Sequence, residues 1–311
     1  MKNRIAITLS SFAEIDPAPL ELLRKSGLET ANNVLGRRLN KKETLELCKG
    51  CVGIIAGLEK YDSDLLEKLS GVKVISRCGI GVDNIDLNAA KRLGIAVKNT
   101  PDGPTQAVAE LAIGLMLDTS RSISFMDRSL RAGRWNKTYG SLISGKTVGI
   151  IGLGRIGRRV AELLGGFNVS IIAHDTSPAA SGNKPGKVKM AGLKYLLRHS
   201  DIITLHPSGN TRVMDKEAIG MMKKGSYIIN LSRGGTLDEK ALYQALKTGR
   251  IAGAALDVFS KEPYDGPLAK LENVILTPHA GSYAKEARAE MELQAAQNLL
   301  DALGALKRRM I

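Results

Sequence analysis

Three side chains of the kinds that move protons and hold carboxylates fall just beyond apolar runs. His279 follows Val274-Ile275-Leu276-Thr277-Pro278, Arg233 follows Ile228-Ile229-Asn230-Leu231-Ser232, and Glu262 comes shortly after Ala255-Leu256-Asp257-Val258-Phe259. Short apolar runs suit buried parallel strands, and open α/β sheets bind ligands at the carboxyl ends of their strands. An imidazole exchanges protons near neutral pH, and a guanidinium forks onto a carboxylate. Arg, Glu and His at neighbouring strand ends therefore make a candidate active site. The other histidines have structural readings: His174 neighbours an acidic residue, His199 ends a helix where a cation suits the dipole, and His206 closes a strand ahead of Pro207.

A second motif lies upstream. The apolar strand Thr147-Val148-Gly149-Ile150-Ile151 runs straight into Gly152-Leu153-Gly154-Arg155-Ile156-Gly157, and Arg158 to Leu164 continues as a helix. Gly152 permits the tight turn, Gly154 lets backbone approach a pyrophosphate, and Gly157 lets the helix pack closely on its strand, with the helix amides facing the anion. The next apolar run, Val169 to Ala173, ends at His174-Asp175, which sets an acid eighteen residues beyond Gly157. That is where a carboxylate meets the adenosine ribose hydroxyls of a dinucleotide. Asp175 would repel a 2′-phosphate, and Thr176, Ser177 and Pro178 follow it rather than an arginine, so NAD is favoured over NADP. Lys184, Lys187 and Lys189 read as a solvated loop face.

The elements that must position these groups alternate. Apolar runs at Ile5 to Leu9, Val52 to Ala56, Val72 to Ile75 and Ile95 to Val97 are separated by helical periodicity, with Asp16-Pro17 opening one helix and Asp62 capping another. Asn99-Thr100-Pro101-Asp102-Gly103-Pro104 is dense in turn formers and marks a domain boundary, followed by a long helical stretch from Thr105 to about Arg131. A second β/α series starts at Thr147, with strands expected near 147–151, 169–173, 201–206, 226–231, 252–258 and 274–277. The chain turns helical again from Glu286 to Leu303 and reaches a basic Lys307-Arg308-Arg309, read as a solvated end. The implied class is α/β, with doubly wound parallel sheets.

Composition excludes several classes. At 311 residues, 43% hydrophobic and 24% charged, the chain is neither disordered nor fibrous, and its length favours two domains. No apolar run reaches the roughly 18 to 20 residues of a membrane span, and the stretch after Lys2 and Arg4 is shorter than the roughly 7 to 15 residues of a signal-peptide core. A cytoplasmic protein with no membrane partner is expected. Cys48, Cys51 and Cys78 are too few for a disulfide scaffold, and Cys48-Lys49-Gly50-Cys51 has no second pair or nearby histidine to complete a metal site. The net charge of +14 comes with only 4% aromatics and no recognition motif, so nucleic acid is not an expected partner.

Taken together, the motifs make the chain resemble the D-isomer-specific 2-hydroxyacid dehydrogenases, in the branch of 3-phosphoglycerate dehydrogenase and glyoxylate/hydroxypyruvate reductase. The matching segments are Arg77-Cys78-Gly79-Ile80-Gly81-Val82-Asp83-Asn84-Ile85-Asp86, Asn99-Thr100-Pro101, the Gly152 to Gly157 turn, Asn230 to Gly235, Ala255 to Phe259 with Glu262-Pro263, and Thr277-Pro278-His279. The resemblance implies an NAD-binding Rossmann domain, residues 100–283, inserted into a flavodoxin-like substrate-binding domain made of 1–99 and 284–311. It also implies a homodimer through an arm spanning roughly residues 100 to 140.

Roles follow from the same resemblance. Arg233 would bind the carboxylate and carbonyl of a 2-oxo acid, His279 would exchange the proton at the carbonyl oxygen, and Glu262 would hydrogen-bond the far ring nitrogen and favour the imidazolium. Asp257 would meet the nicotinamide carboxamide, and Arg155, Ile156, His206 and Pro207 join Gly152, Gly154, Gly157 and Asp175 in the cofactor set. Arg77 and the backbone of Gly79, Ile80 and Gly81 would hold substrate. The expected reaction moves a hydride between NAD and C2 of a small D-2-hydroxy acid, in the manner of 3-phosphoglycerate dehydrogenase, with glyoxylate/hydroxypyruvate reduction as the alternative. Phosphoglycerate dehydrogenases often carry an arginine on the loop read here as Ala56-Gly57-Leu58-Glu59-Lys60-Tyr61; Lys60, Arg77 or the Arg134-Trp135-Asn136-Lys137 arm would have to compensate. A different class, an NADH-sensing corepressor-like binding protein, shares the fold and can keep Arg, Glu and His.

Overall fold

The computed structural model describes residues 4–182 and 184–309. The residues around Lys2 and the side chains of Lys307-Arg308-Arg309 lie outside what is described. Two compact units divide the chain, Met1–Pro104 with Ser282–Ile311, and Thr105–Gly281.

The first unit alternates β1 (Arg4–Ile7), α1 (Ala18–Lys25), β2 (Glu29–Asn32), α2 (Lys41–Cys48), β3 (Gly53–Ala56), α3 (Ser63–Lys68), β4 (Val74–Arg77), α4 (Leu87–Arg92) and β5 (Ala96–Asn99). The strands form one parallel sheet in the order β2-β1-β3-β4-β5. Successive residues of a strand face opposite sides, so Ala6 and Ile54 join Leu65, Leu66 and Ala89 in one core, while Ile5, Ile7, Ile55 and Val74 face the other. That second core is completed by Met291, Ala295, Ala296, Leu299 and Ala302 from the last helix of the chain. Asp62 and Asp86 cap α3 and α4, and Asn40 and Glu43 form a reciprocal capping box on α2.

The second unit takes in α5 (Gly103–Arg121) from Thr105 on, then α6 (Ile123–Arg131), β6 (Thr147–Ile151), α7 (Arg155–Leu163), β7 (Ser170–His174), α8 (Ala179–Gly182), β8 (Lys189–Met190) and α9 (Leu193–His199). It continues with β9 (Ile202–Leu205), α10 (Lys216–Met221), β10 (Ser226–Asn230), α11 (Glu239–Lys247), β11 (Ile251–Leu256) and β12 (Val274–Leu276), and the chain then returns to the first unit as α12 (Lys285–Arg309). Its seven strands are parallel, in the order β12-β11-β10-β9-β6-β7-β8. Ile150 and Val148 face Ala109, Ala112 and Met116 of α5, whereas Ile151 faces the opposite core with Leu196, Ile219 and Leu242. The strand order reverses between β6 and β9, which places the crevice of a doubly wound sheet at their carboxyl ends.

The long helical stretch expected after Thr105 is broken. Ser122 adopts a left-handed conformation, φ 54°, between α5 and α6, and the Asp118 carboxylate takes the amide and hydroxyl of Ser124 just beyond it. A serine in that conformation ends one helix and lets the next set off in a new direction.

Candidate active site

The ends of β11 and β12 in the second unit meet at His279. The imidazole Nδ1 lies 2.9 Å from Glu262 Oε2, and the other Glu262 oxygen accepts the Phe259 amide at 3.1 Å, so the carboxylate is held at both ends. Among the described residues no donor or acceptor reaches His279 Nε2, which leaves that nitrogen for a ligand. The backbone at His279 is left-handed, φ 53°, a conformation rare for a residue with a side chain. Its amide donates to the carbonyls of Asp257 at 2.9 Å and Thr277 at 3.0 Å.

Asp257, at the end of β11 and only 1% exposed, secures this turn. Its Oδ1 accepts the Thr277 hydroxyl at 2.6 Å and the Ala280 amide at 2.7 Å, and its Oδ2 accepts the Gly281 amide at 2.8 Å. Burial pushes its carboxyl above the usual range against the pull of these three donors. Gly281 packs closely here: a Cβ would stand 3.1 Å from Asp257 Oδ2 and 3.2 Å from Val108, so either neighbour would have to give by a few tenths of an ångström.

Arg233 is half-buried at the end of β10. Its guanidinium donates to the Ser232 carbonyl at 2.8 Å, and its own carbonyl is gripped by Thr236 Oγ1 at 2.6 Å and Asn230 Nδ2 at 3.2 Å. Asn230, buried, also accepts the Ser232 amide and hydroxyl at 3.0 and 2.8 Å. Asn230 and Thr277 lie in segments that carry the resemblance but had no role assigned to them, and Thr236 lies just beyond one; the structure makes all three supports of the site.

At the β6–β9 reversal the glycine turn has little freedom. Gly152 has φ 92°, and a Cβ on it would collide with the His206 carbonyl carbon and the Pro207 nitrogen; a Cβ on Gly157 would strike the Gly152 carbonyl. Gly154, by contrast, faces open space and begins α7, whose first turn has no side-chain cap. Free amides there suit an anion. Asp175 ends β7 and bridges to the turn, with Oδ2 accepting the Leu153 amide and Oδ1 the Ser177 amide, each at 2.7 Å. His206 Nε2 meets Thr204 Oγ1 at 2.8 Å, while its buried Nδ1 has no partner among the described residues, and burial lowers the imidazole pKa to about 3. An orphaned ring nitrogen, an uncapped helix start and a turn where only glycine fits are the features a dinucleotide would use. Arg155 is exposed and Ile156 half-buried on the first turn of α7. Among the described residues no cluster of His, Cys, Asp or Glu could hold a metal ion.

The remaining expected positions belong to the first unit. Gly79, φ 141°, donates its amide to Thr100 Oγ1 at 2.7 Å, so that amide is already used. The amides of Ile80 and Gly81 have no partner among the described residues, and Asn99 Nδ2 fixes their loop through the Ile80 carbonyl at 2.7 Å. Arg77 turns its guanidinium back onto the Cys78 carbonyl. His174 and His199 are satisfied by the carbonyls of Ala191 at 3.1 Å and Tyr195 at 2.8 Å.

Residues 113–281 match the family model described as the D-isomer specific 2-hydroxyacid dehydrogenase, NAD binding domain. A D-3-phosphoglycerate dehydrogenase of Methanocaldococcus jannaschii is 44% identical over 258 residues, 80% of this chain and 49% of that protein. A hydroxypyruvate reductase of Thermotoga maritima is 36% identical over 293 residues, 91% of this chain and 94% of the relative. The crystal structure of a glyoxylate reductase from Paecilomyes thermophila superposes with a TM-score of 0.84 at 31% identity, covering 97% of this chain and 95% of that one. The chain spans about half the length of the first phosphoglycerate dehydrogenases it matches. With a family-specific domain over more than half of its length and relatives that cover nearly all of it, the chain belongs to the D-isomer specific 2-hydroxyacid dehydrogenases.

Proposed function

We propose that this protein interconverts a small D-2-hydroxy acid and its 2-oxo acid with NAD(H). The observation that carries the reading is the His279–Glu262 pair: one imidazole nitrogen is held at 2.9 Å by a carboxylate, and the other has no partner among the described residues. Bound at the β6–β9 crevice, the nicotinamide cofactor supplies or accepts the hydride.

The residues do the rest. His279 Nε2 gives a proton to the substrate carbonyl oxygen in reduction and takes it back in oxidation. Glu262 fixes the ring so that Nδ1 carries the hydrogen it donates. Arg233 binds the carboxylate and carbonyl oxygens through its planar fork, orienting C2 for transfer. Asp175 takes the ribose hydroxyls, and Gly152, Gly154, Gly157, Arg155 and Ile156 approach the pyrophosphate. Asp257, His206 and Pro207 complete the cofactor contacts. Ile80 and Gly81 offer the substrate carboxylate two open amides, with Gly79 and Arg77 shaping that loop. Phosphorylated and unphosphorylated three-carbon acids are both candidate substrates, as the names of the relatives suggest.

We further propose a cytoplasmic homodimer. Cys48, Cys51 and Cys78 are all free, which suits a reducing compartment. Trp135, Tyr139 and Leu142 are 79%, 104% and 69% exposed, an apolar set that a second copy would cover. Light scattering of the protein and of a Trp135→Ser variant tests the dimer, which should weaken in the variant.

Initial rates of NADH oxidation with glyoxylate, pyruvate, hydroxypyruvate and phosphohydroxypyruvate test the activity. Saturable NADH binding with no turnover on any 2-oxo acid would replace the enzyme with an NADH-sensing binding protein.

A further inference from the structure

The outer edge of the seven-stranded sheet is only partly covered. β8 is two residues long and pairs with Ile172 and Ala173, so Ser170 and Ile171, the first residues of β7, have no strand beside them on that side. The turn formed by Pro185, Gly186 and Lys187 passes there instead, anchored by Val188, which is buried in the core with Ala161, Leu164 and Ala173. Between this turn, the end of α7 and the edge of β7 lies a groove of about 830 Å³. That volume falls in the range of small-ligand sites, roughly 300 to 1,000 Å³. Thr147 and Ser170, which line it, open β6 and β7, whereas Gly152 and Asp175 follow the carboxyl ends of the same strands. The four steps from Thr147 to Ile151 rise about 13 Å, so the groove is separate from the crevice assigned to the nucleotide.

The side chains of this groove donate more than they accept. Lys187 and Lys189 line it, and among the described residues neither has a carboxylate partner; the Lys189 ammonium rests 3.1 Å from the Tyr195 hydroxyl and 4.6 Å from the centre of its ring. Thr147 and Ser170 are paired in the β6–β7 register, which puts their hydroxyls on one face of the sheet, and neither hydroxyl has a hydrogen bond among the described residues. The carboxylate on the wall, Glu162, is held by Arg159 at 2.8 Å. Val169, Ile171 and Ile172 supply an apolar floor. Two unmatched ammonium groups above that floor make the groove attractive to an anion with an apolar body. The end of α7 limits how much charge that anion carries, because the negative end of the helix dipole and Glu162 both face the same space.

We propose that this groove is a second ligand site, for a small amphipathic monocarboxylate whose apolar body lies against Val169, Ile171 and Ile172 and whose head meets Lys187 and Lys189. A neutral ligand would leave both ammonium groups unmatched. A polyphosphate would bring its charge against the carbonyl end of α7 and the Glu162 carboxylate. The site is independent of the reaction proposed above, since none of its residues belongs to the catalytic or cofactor set.

The test titrates 8-anilinonaphthalene-1-sulfonate, a fluorescent anion with an apolar body, into the full chain with and without saturating NAD. The dye should bind equally well in both, and octanoate should displace it at about tenfold lower concentration than octanol, its neutral counterpart. Gly165 lines the groove, and a Cβ on it meets nothing within 4 Å, so Gly165→Leu occupies the open space without pressing on the core. That variant should weaken both dye and octanoate by about tenfold or more. Replacing both lysines, Lys187→Gln with Lys189→Gln, should weaken octanoate by about tenfold and leave octanol unchanged. Both variants should keep the native dissociation constant for NADH. Displacement of the dye by NAD, or undiminished binding in Gly165→Leu, would put the ligand elsewhere and overturn the site. Equal displacement by octanoate and octanol, or no loss of octanoate affinity without the two lysines, would overturn the recognition of a carboxylate.

Discussion

The Asp257 carboxylate accepts the backbone amides of Ala280 and Gly281, the two residues that follow His279. The left-handed turn that aims the histidine is therefore held by a buried anion twenty-two residues earlier in the chain, not by the histidine's own contacts alone. An asparagine in its place has one acceptor oxygen, and its NH2 would meet an amide N–H. Asp257→Asn should lower turnover about a hundredfold, the scale of a misplaced catalytic group, and destabilise the fold by about 1–3 kcal/mol through an unmatched buried donor. Steady-state kinetics and urea unfolding on the same preparation check both.

His279→Ala removes the group proposed to exchange the substrate proton. Turnover should fall by about 10²- to 10⁴-fold, while the NADH dissociation constant measured by fluorescence stays within error. Unchanged turnover would remove His279 from the mechanism. Glu262→Gln keeps a hydrogen-bonding partner for Nδ1 but not its charge, and should land between the native protein and His279→Ala.

Asp175 already accepts two amides, so its charge is fixed in place beside the glycine turn. Replacing it with serine should leave a polar neighbour for those amides while removing repulsion of a 2′-phosphate. The ratio of kcat/KM for NADPH to that for NADH should rise by about tenfold or more. Equal use of both cofactors by the native protein would contradict the ribose assignment.

His206 gives a pH signature. Its folded-state pKa is lowered by burial to about 3, so the unfolded chain binds a proton there that the folded chain refuses. Stability from this group is complete above the ordinary histidine pKa near 6.5 and is lost as pH falls from there toward 3, by up to about 1.4 kcal/mol per pH unit. His206→Gln keeps a partner for Thr204 and should flatten that acid limb in urea titrations between pH 6.5 and 4, where other groups still titrate.

Which parts of this could be read beforehand depended on burial. Val148, Ile150, Ile203 and Ile229 sit in strands covered on both faces, so an unbroken apolar run announces them. β2 and β8 carry no such run: Glu29–Asn32 is an edge strand with a single buried residue, and Lys189–Met190 has only two residues inside a stretch read as polar loop. Ser122 looks like any mid-helix serine, and the Asp118–Ser124 hydrogen bonds that accompany its turn have no counterpart in the helical periodicity. Among the site residues, His279 and Glu262 were legible as polar groups beyond strand ends. Their mutual hydrogen bond joins residues seventeen apart through a loop, and the hydrogen bond from the Thr8 hydroxyl to Glu59 spans fifty-one positions. Pairings of that range depend on the sheet order, which sequence spacing does not carry.

The arrival of α12 on the first sheet has a consequence for biosynthesis. Ile5, Ile7 and Val74 are shielded by Met291, Ala295 and Leu299, which leave the ribosome only after all of Thr105–Gly281 has been made. Until then one face of the nascent sheet stays uncovered and adhesive, so a stalled or truncated product would present it to chaperones or to other copies of itself. The inserted unit, whose strands and helices are contiguous in the chain, has no such wait and can close its own core first.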